Sequence, residues 1–99
     1  MRITDISFKK VNDKLEKVKA IATIVLDDEI AIHDIKIIDG KKGIFVAMPS
    51  REKYNVFNGE SRFMDIAHPI KNSTRKYLTE NILSSYEIFL EEEEVNQDE

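Results

Sequence analysis

Regular alternation of apolar and polar residues constrains the fold of this chain more than any other feature. Between residues 17 and 27 every second residue is apolar, so these side chains share one face of an extended strand: Val18, Ala20, Ala22, Ile24 and Leu26. A strand over 3–11 precedes this segment, and strands over 30–38 and 44–48 follow it after short polar turns. Consecutive strands with short connections pair in antiparallel order, which predicts an antiparallel meander.

The third and fourth strands lead to a predicted loop. Strict alternation divides the isoleucines of the third strand between its two faces, with Ile30 and Ile32 on one face and Ile35 and Ile37 on the other. Pro49 has no N–H group and cannot continue a central strand, so pairing is expected to stop there. Residues 49–61 are then predicted as a polar loop, and 62–67 as a fifth short strand.

The C-terminal part of the chain is predicted to be helical over about 73–90. Its apolar residues recur at helical spacing and are expected to form core or dimer contacts: Leu78, Ile82, Tyr86 and Phe89. Six of the 19 acidic residues lie in 91–99, which is predicted to be a disordered acidic tail. Residues 1–90 hold 15 basic and 13 acidic residues and form one predicted α+β domain, with a small antiparallel sheet of four to five strands over about 2–67.

Several classes of site are disfavoured. The chain has no cysteine, which excludes disulfides and thiol chemistry, and it shows no Gly-rich phosphate loop, no signal-peptide pattern and no membrane-spanning run. The two histidines, His33 and His68, and the acids Asp34 and Asp65 lack metal-ligand spacing, and we expect them to contact local backbone or a neighbouring strand. We therefore expect no enzyme activity, cofactor or metal, with a small hydrolase using His33 or His68 as the weaker alternative.

Basic residues cluster in two places and favour binding to phosphates. If the helix begins close to the end of the last strand, both groups can lie near each other, and the N–H groups of the helix start add positive charge. Tyr54 and Phe57 lie among the loop charges and are candidates for stacking on bases, with a solvated surface loop as the alternative. The candidate nucleic-acid-binding residues are Arg51, Lys53, Arg62, Lys71, Arg75 and Lys76.

Three sequence blocks, in order, resemble the family of stage V sporulation protein G (SpoVG). They are HDIKIIDG at 33–40, GIFVAMPS at 43–50 and DIAHPI at 65–70. Thr4-Asp5-Ile6 and the segment 20–27 also resemble the opening strands of that family. Each block alone is a weak signal, but their order along residues 1–90 is specific.

The resemblance implies a sheet followed by a helix, assembled as a homodimer in the bacterial cytoplasm. It also implies binding to DNA or RNA to regulate gene expression in sporulation and septation, and elsewhere virulence, through basic residues after Met-Pro-Ser and around the helix start. Here Glu52 separates Arg51 from Lys53, and the following loop is longer than is usual in the family. The alternative function is a protein–protein interaction module that acts on cell-division or regulatory proteins without binding nucleic acid.

Overall fold

A computed structural model describes residues 1–11 and 17–97, which form an α+β domain. The elements are β1 (Ile3–Lys10), β2 (Val18–Leu26), β3 (Ile30–Gly40), β4 (Gly43–Ala47), β5 (Ser50–Tyr54), β6 (Ser61–Asp65) and α1 (Asn72–Gln97). Strands β1 to β4 form one antiparallel sheet in sequence order, and β5 pairs with β6 in a separate two-stranded sheet. The predicted meander and the α+β class are confirmed.

The core lies between one face of the four-stranded sheet and α1. Alternate residues of β2 from Ala20 to Leu26 are buried there, as their spacing predicted, together with Ile35 and Ile37 of β3, whereas Val18 is only half-buried. Burying an aliphatic side chain of this size contributes roughly 1.5–3 kcal/mol, so this face provides most of the stability of the domain. Phe8 of β1 extends the core toward the end of the helix, where its ring centroid lies 5.8 Å from that of Tyr86 and 5.4 Å from that of Phe89.

A β-bulge in β3 changes which isoleucines face the core. Asp34 has a φ of 62°, a left-handed conformation that Asp tolerates better than most residues. It inserts one extra residue into β3 between two pairs of partners, Ala22–Ile35 and Ile24–Ile32. Ile32 therefore packs against the core on the same side as Ile35, and the prediction that strict alternation separates them is wrong. Ile30, at the start of the strand, is 58% exposed.

The segment predicted as a polar loop contains a strand. Pairing does break at Pro49, as expected, but Ser50–Tyr54 then forms β5 and pairs with Ser61–Asp65. The loop prediction for 49–61 is therefore wrong, whereas the predicted strand at 62–67 corresponds to β6. The two strands pack mainly on each other, and within the described residues the structure shows no extensive packing between this hairpin and either the main sheet or α1.

Helix α1 begins at Asn72, as the sequence predicted, but runs to Gln97, beyond the predicted end near 90. Glutamate has high helix propensity, and this outweighs the unfavourable position of Glu91–Glu94 at the negative end of the helix dipole. Residues 98 and 99 of the predicted tail lie outside the described residues. No helix in the described part of the chain is long and apolar enough to cross a membrane.

Candidate nucleic-acid interface

The register of the β5–β6 hairpin gathers three of the predicted binding residues on one face. Lys53 lies directly opposite Arg62, and Arg51 lies opposite Met64. Residues directly opposite each other point to the same face, as do residues two apart on one strand. Arg51, Lys53 and Arg62 therefore share one face, which we call the basic face. All three side chains are exposed.

Strand alternation separates the acids of the hairpin from these cations. Glu52, which interrupts the basic residues in the sequence, pairs with Phe63 on the opposite face, as Ser50 does with Asp65. Residues 50–65 contain three basic and three acidic residues, so the segment has no net charge. Only Glu60, next to the tip, lies on the side of the cations. The departure from two adjacent basic residues therefore leaves the basic face intact.

The charges on the basic face lack the usual compensation. Like charges directly across a pair of strands destabilise the pairing, and Lys53 and Arg62 are in that arrangement. Among the described residues, the ion pair found is between Lys76 and Glu80 on the helix, and none involves the basic face. An external anion would relieve this repulsion, so the basic face is a candidate anion-binding surface.

The tip of the hairpin is a tightly hydrogen-bonded turn. The Asn55 side chain accepts a bond from the Phe57 N–H (2.9 Å), and the Asn58 side chain accepts one from the Glu60 N–H (3.0 Å). The Gly59 N–H donates to the Asn55 carbonyl (2.9 Å), and Gly59 has a φ of 71°, which glycine adopts without steric cost. This turn holds the ring of Phe57 out in solvent, 96% exposed.

A cavity of about 590 Å³ lies beside the tip on the hairpin. Lys53 and Arg62 contribute charge to its lining, Phe57 and Met64 contribute apolar surface, and Glu60 contributes a carboxylate. The volume falls within the roughly 300–1,000 Å³ typical of small-ligand sites. The cavity therefore combines cationic and apolar groups close to the basic face.

The other face of the hairpin is partly apolar. Tyr54 and Phe63 belong to it by strand register and are 61% and 72% exposed, and the Tyr54 side chain also contributes to the lining of the cavity at the tip. We call these two residues the apolar face. In the linker between β6 and α1, Ile66 and Ile70 are 66% and 89% exposed. Exposed apolar groups in such a run are typical of a surface that contacts another protein chain.

The second predicted cluster lies at the start of α1. The first turn of the helix carries no acidic residue, so the positive end of its dipole is not neutralised there. Arg75 donates from Nη2 to the Pro69 carbonyl (3.5 Å), and Lys76 lies 3.9 Å from Glu80. Lys71 is exposed beside them. The hairpin does not pack extensively on α1, so in the described residues no extensive contact joins this cluster to the basic face.

The predicted helix face forms part of the core of this chain. Leu78, Ile82 and Tyr86 are at most 5% exposed, and Phe89 packs against them. Burial raises the pKa of the Tyr86 hydroxyl, and the nearby negative charge of Asp39 raises it further. The core interpretation is confirmed, whereas a role for this face between two copies stays a prediction.

Both histidines make local contacts, as predicted. His33 Nδ1 lies 3.2 Å from Thr23 Oγ1 on the neighbouring strand β2. His68 Nδ1 lies 3.2 Å from the Pro69 carbonyl of its own segment. Among the described residues, no group of three or more His, Asp or Glu side chains could hold a metal ion.

Sequence reasoning missed the residues that complete the cavity. Val56, Glu60 and Met64 line it, and the sequence does not single them out: Val56 and Glu60 lie in the predicted polar loop over 49–61, and Met64 lies in the predicted strand over 62–67. An available signal was Asn58-Gly59, a turn-forming pair, with a polar run on either side long enough for two short strands. The cross-strand register that places Lys53 opposite Arg62 has no signature in the linear sequence.

The fold defines a small α+β domain with a separate two-stranded hairpin, one face of which is exposed and basic. The family model described as SpoVG matches residues 1–88. A protein of Alkaliphilus oremlandii is 46% identical over 99 residues, covering 98% of this chain and all of the relative. Proteins of Agathobacter rectalis (45%, covering 92% of this chain and 98% of the relative) and Clostridium acetobutylicum (43%, covering 95% and 93%) are also similar. All three carry the name "Putative septation protein SpoVG". The chain belongs to the SpoVG family.

Proposed function

We propose that the protein is a homodimeric, non-enzymatic regulator of gene expression that binds DNA or RNA in the bacterial cytoplasm. The name of its relatives suggests that the regulated process includes septation, and the family name suggests sporulation. The basic face carries this proposal, because Lys53 and Arg62 are held in direct opposition without a neutralising partner in the described chain. Such an arrangement is unfavourable in isolation and becomes favourable against a phosphate backbone.

The mechanism of binding is electrostatic attraction of phosphates to the basic face. Three cations on one short strand pair match the closely spaced charges of a nucleic-acid backbone, and Arg51 and Arg62 offer guanidinium groups that suit phosphate oxygens. The start of α1, with Lys71, Arg75 and Lys76, offers a second positive surface. Contacts of this kind position a nucleic acid and carry little sequence information.

Dimerisation is the second part of the proposal. A two-stranded hairpin is at best marginally stable alone, and β5–β6 lacks extensive packing against the rest of its own chain. A second copy that covers Tyr54 and Phe63 would stabilise it and leave the basic face free. A symmetric dimer also presents two basic faces, which doubles the number of phosphate contacts.

A salt titration of affinity tests the nucleic-acid part. Purified protein is titrated against fluorescent duplex DNA and single-stranded RNA between about 50 and 200 mM salt, and log Kd is plotted against log salt. The Arg51/Lys53/Arg62 triple alanine variant should bind more weakly, with a slope lower by about 0.9 on duplex DNA and about 0.7 on single-stranded RNA for each lost phosphate contact. The matched control removes three exposed lysines elsewhere, Lys9, Lys10 and Lys19, and should change the slope little.

Two results would contradict the proposal. Salt-independent or absent binding at low salt by wild-type protein would exclude the nucleic-acid function, and the exposed apolar face would then favour the alternative of a module that docks on division or regulatory proteins. A monomer by sedimentation at micromolar concentration would contradict the dimer. If the dimer forms through the apolar face, Phe63→Ser should dissociate it while the main sheet stays folded by circular dichroism.

A further inference from the structure

The cavity beside the hairpin tip has the chemistry of a nucleobase site. Its apolar wall includes Phe57, which is 96% exposed, and Met64, while Lys53 and Arg62 lie on its other side. An aromatic ring next to cations is the combination with which proteins hold single strands, because bases stack on the ring while phosphates contact the cations. Binding of phosphates by the basic face would not by itself require an aromatic ring nearby.

We propose that this cavity receives one unpaired base of a single-stranded nucleic acid, which stacks on Phe57 while its flanking phosphates contact Lys53 and Arg62. The inference rests on the proposed function and narrows its substrate to single strands. A base in a duplex is stacked and paired, so its face cannot reach a cavity of this kind without being flipped out at a cost of a few kcal/mol.

The order of groups along the hairpin sets the direction in which the nucleobase points. Along this side of the hairpin, from its open end toward the tip, lie Arg51 and Met64, then Lys53 and Arg62, then Glu60, and finally the turn with Phe57. The Glu60 carboxylate repels a phosphate, so the phosphates lie at Lys53 and Arg62 and the base points to the tip. The Glu60 carboxylate can accept a hydrogen bond from the edge of the nucleobase, either from an amino group of cytosine, adenine or guanine or from the ring N–H of guanine, thymine or uracil.

The turn prepares the site before any ligand arrives. Two Asn side chains and the Gly59 N–H hold the backbone that carries Phe57, with three hydrogen bonds of 2.9–3.0 Å. Because the loop is already ordered, little conformational entropy is lost when a base stacks on the ring. An aromatic ring that solvent surrounds on nearly all sides also contributes little to folding, so it can be replaced without unfolding the protein.

The test compares a 12-nucleotide single strand with the same strand containing abasic positions, by fluorescence anisotropy at fixed salt. The abasic strand keeps every phosphate, so the wild-type protein should bind it about 5- to 150-fold more weakly, the range expected for one stacked base. Phe57→Leu should weaken binding to the normal strand to a similar extent and should not weaken binding to the abasic strand further. Phe45→Leu, the same change at a half-exposed ring on β4, is the matched control and should have no effect.

The outcomes separate this inference from the proposed function. Equal affinities of wild-type protein and Phe57→Leu for the normal strand, with the salt slope retained, would overturn the base site and leave phosphate binding intact. Absence of salt-dependent binding to both single strands and duplex would overturn both. A 2-aminopurine base within the strand provides an independent readout, because its fluorescence should be quenched by wild-type protein and not by Phe57→Leu.

Discussion

Replacing Arg62 with Gln should stabilise the free hairpin and weaken nucleic-acid binding at the same time. The substitution keeps an unbranched polar side chain, although a shorter one, and removes the charge opposite Lys53. Two unit charges about 6 Å apart in water repel by about 0.7 kcal/mol, which agrees with the roughly 0.2–1 kcal/mol measured for cross-strand pairs. Loss of this repulsion should lower the equilibrium population of the locally opened hairpin about threefold.

Binding should change in the opposite direction. Each copy loses one phosphate contact, so the slope of log Kd against log salt should fall by about 0.7 per chain on a single strand and about 0.9 per chain on duplex DNA, and by twice as much for a dimer that engages both basic faces. A gain in stability together with a loss of binding is typical of substituting a residue that serves binding at a cost in stability. Substitution of a surface residue with no role in binding should change the stability of the hairpin and the salt slope of binding little.

The assay is amide hydrogen exchange by NMR at low salt, read at the N–H groups of β5 and β6, together with the salt titration. Local exchange is the correct readout because a projecting hairpin opens without global unfolding. Lys9→Gln is the matched control, since it makes the same charge change on β1 opposite the uncharged Ile21. Faster exchange in Arg62→Gln, or an unchanged binding slope, would refute the reasoning. High salt should abolish the stabilisation by screening the charges.

Further predictions concern the four-stranded sheet and α1. Asp34→Gly should leave stability nearly unchanged, because Gly adopts a positive φ freely, whereas Asp34→Val should cost about 1–3 kcal/mol by urea denaturation. Ile82→Ala removes a fully buried side chain from the helix–sheet interface and should cost about 2–5 kcal/mol. The folded state favours the neutral hydroxyl of Tyr86, because burial raises its pKa above the ordinary value. The free energy of unfolding is therefore unaffected by this group below pH about 10, and it decreases as the pH rises from there through the pKa of the folded state. Urea melts at pH 9 and 11 should therefore show a smaller alkaline loss for Tyr86→Phe than for wild type.

The main sheet and the helix could be predicted from the sequence because burial leaves a periodic trace. Every second residue of β2 is apolar, and the residues at helical spacing in α1 are those that the structure buries. The bulge at Asp34 could not be predicted in this way, because one inserted residue shifts the phase of the alternation without changing the composition. His33 and Asp34 lie at this bulge, and the positive φ of Asp34 changes which face of β3 packs on the core.

Strand β5 has no periodic pattern of apolar residues in its sequence, because it packs little against the rest of its own chain. Its residues alternate between cations on one face and Glu52 and Tyr54 on the other, so there is no apolar–polar period to detect. The same property explains why the linear order of charges was misleading. Arg51-Glu52-Lys53 has one net positive charge as a string, but as a strand it presents two cations to one side and the acid to the other.

The hairpin thus divides two kinds of contact between its faces. A surface that attracts phosphates must stay in water until it binds, whereas Tyr54 and Phe63 are best covered by another chain. The cations and the two aromatic residues alternate with a period of two, so a strand separates them onto two faces, whereas a helix of the same residue order would mix them. If a second copy covers the apolar face, it also stabilises the pairing that holds Lys53 against Arg62, so dimer formation and the capacity to bind phosphates should rise together with protein concentration.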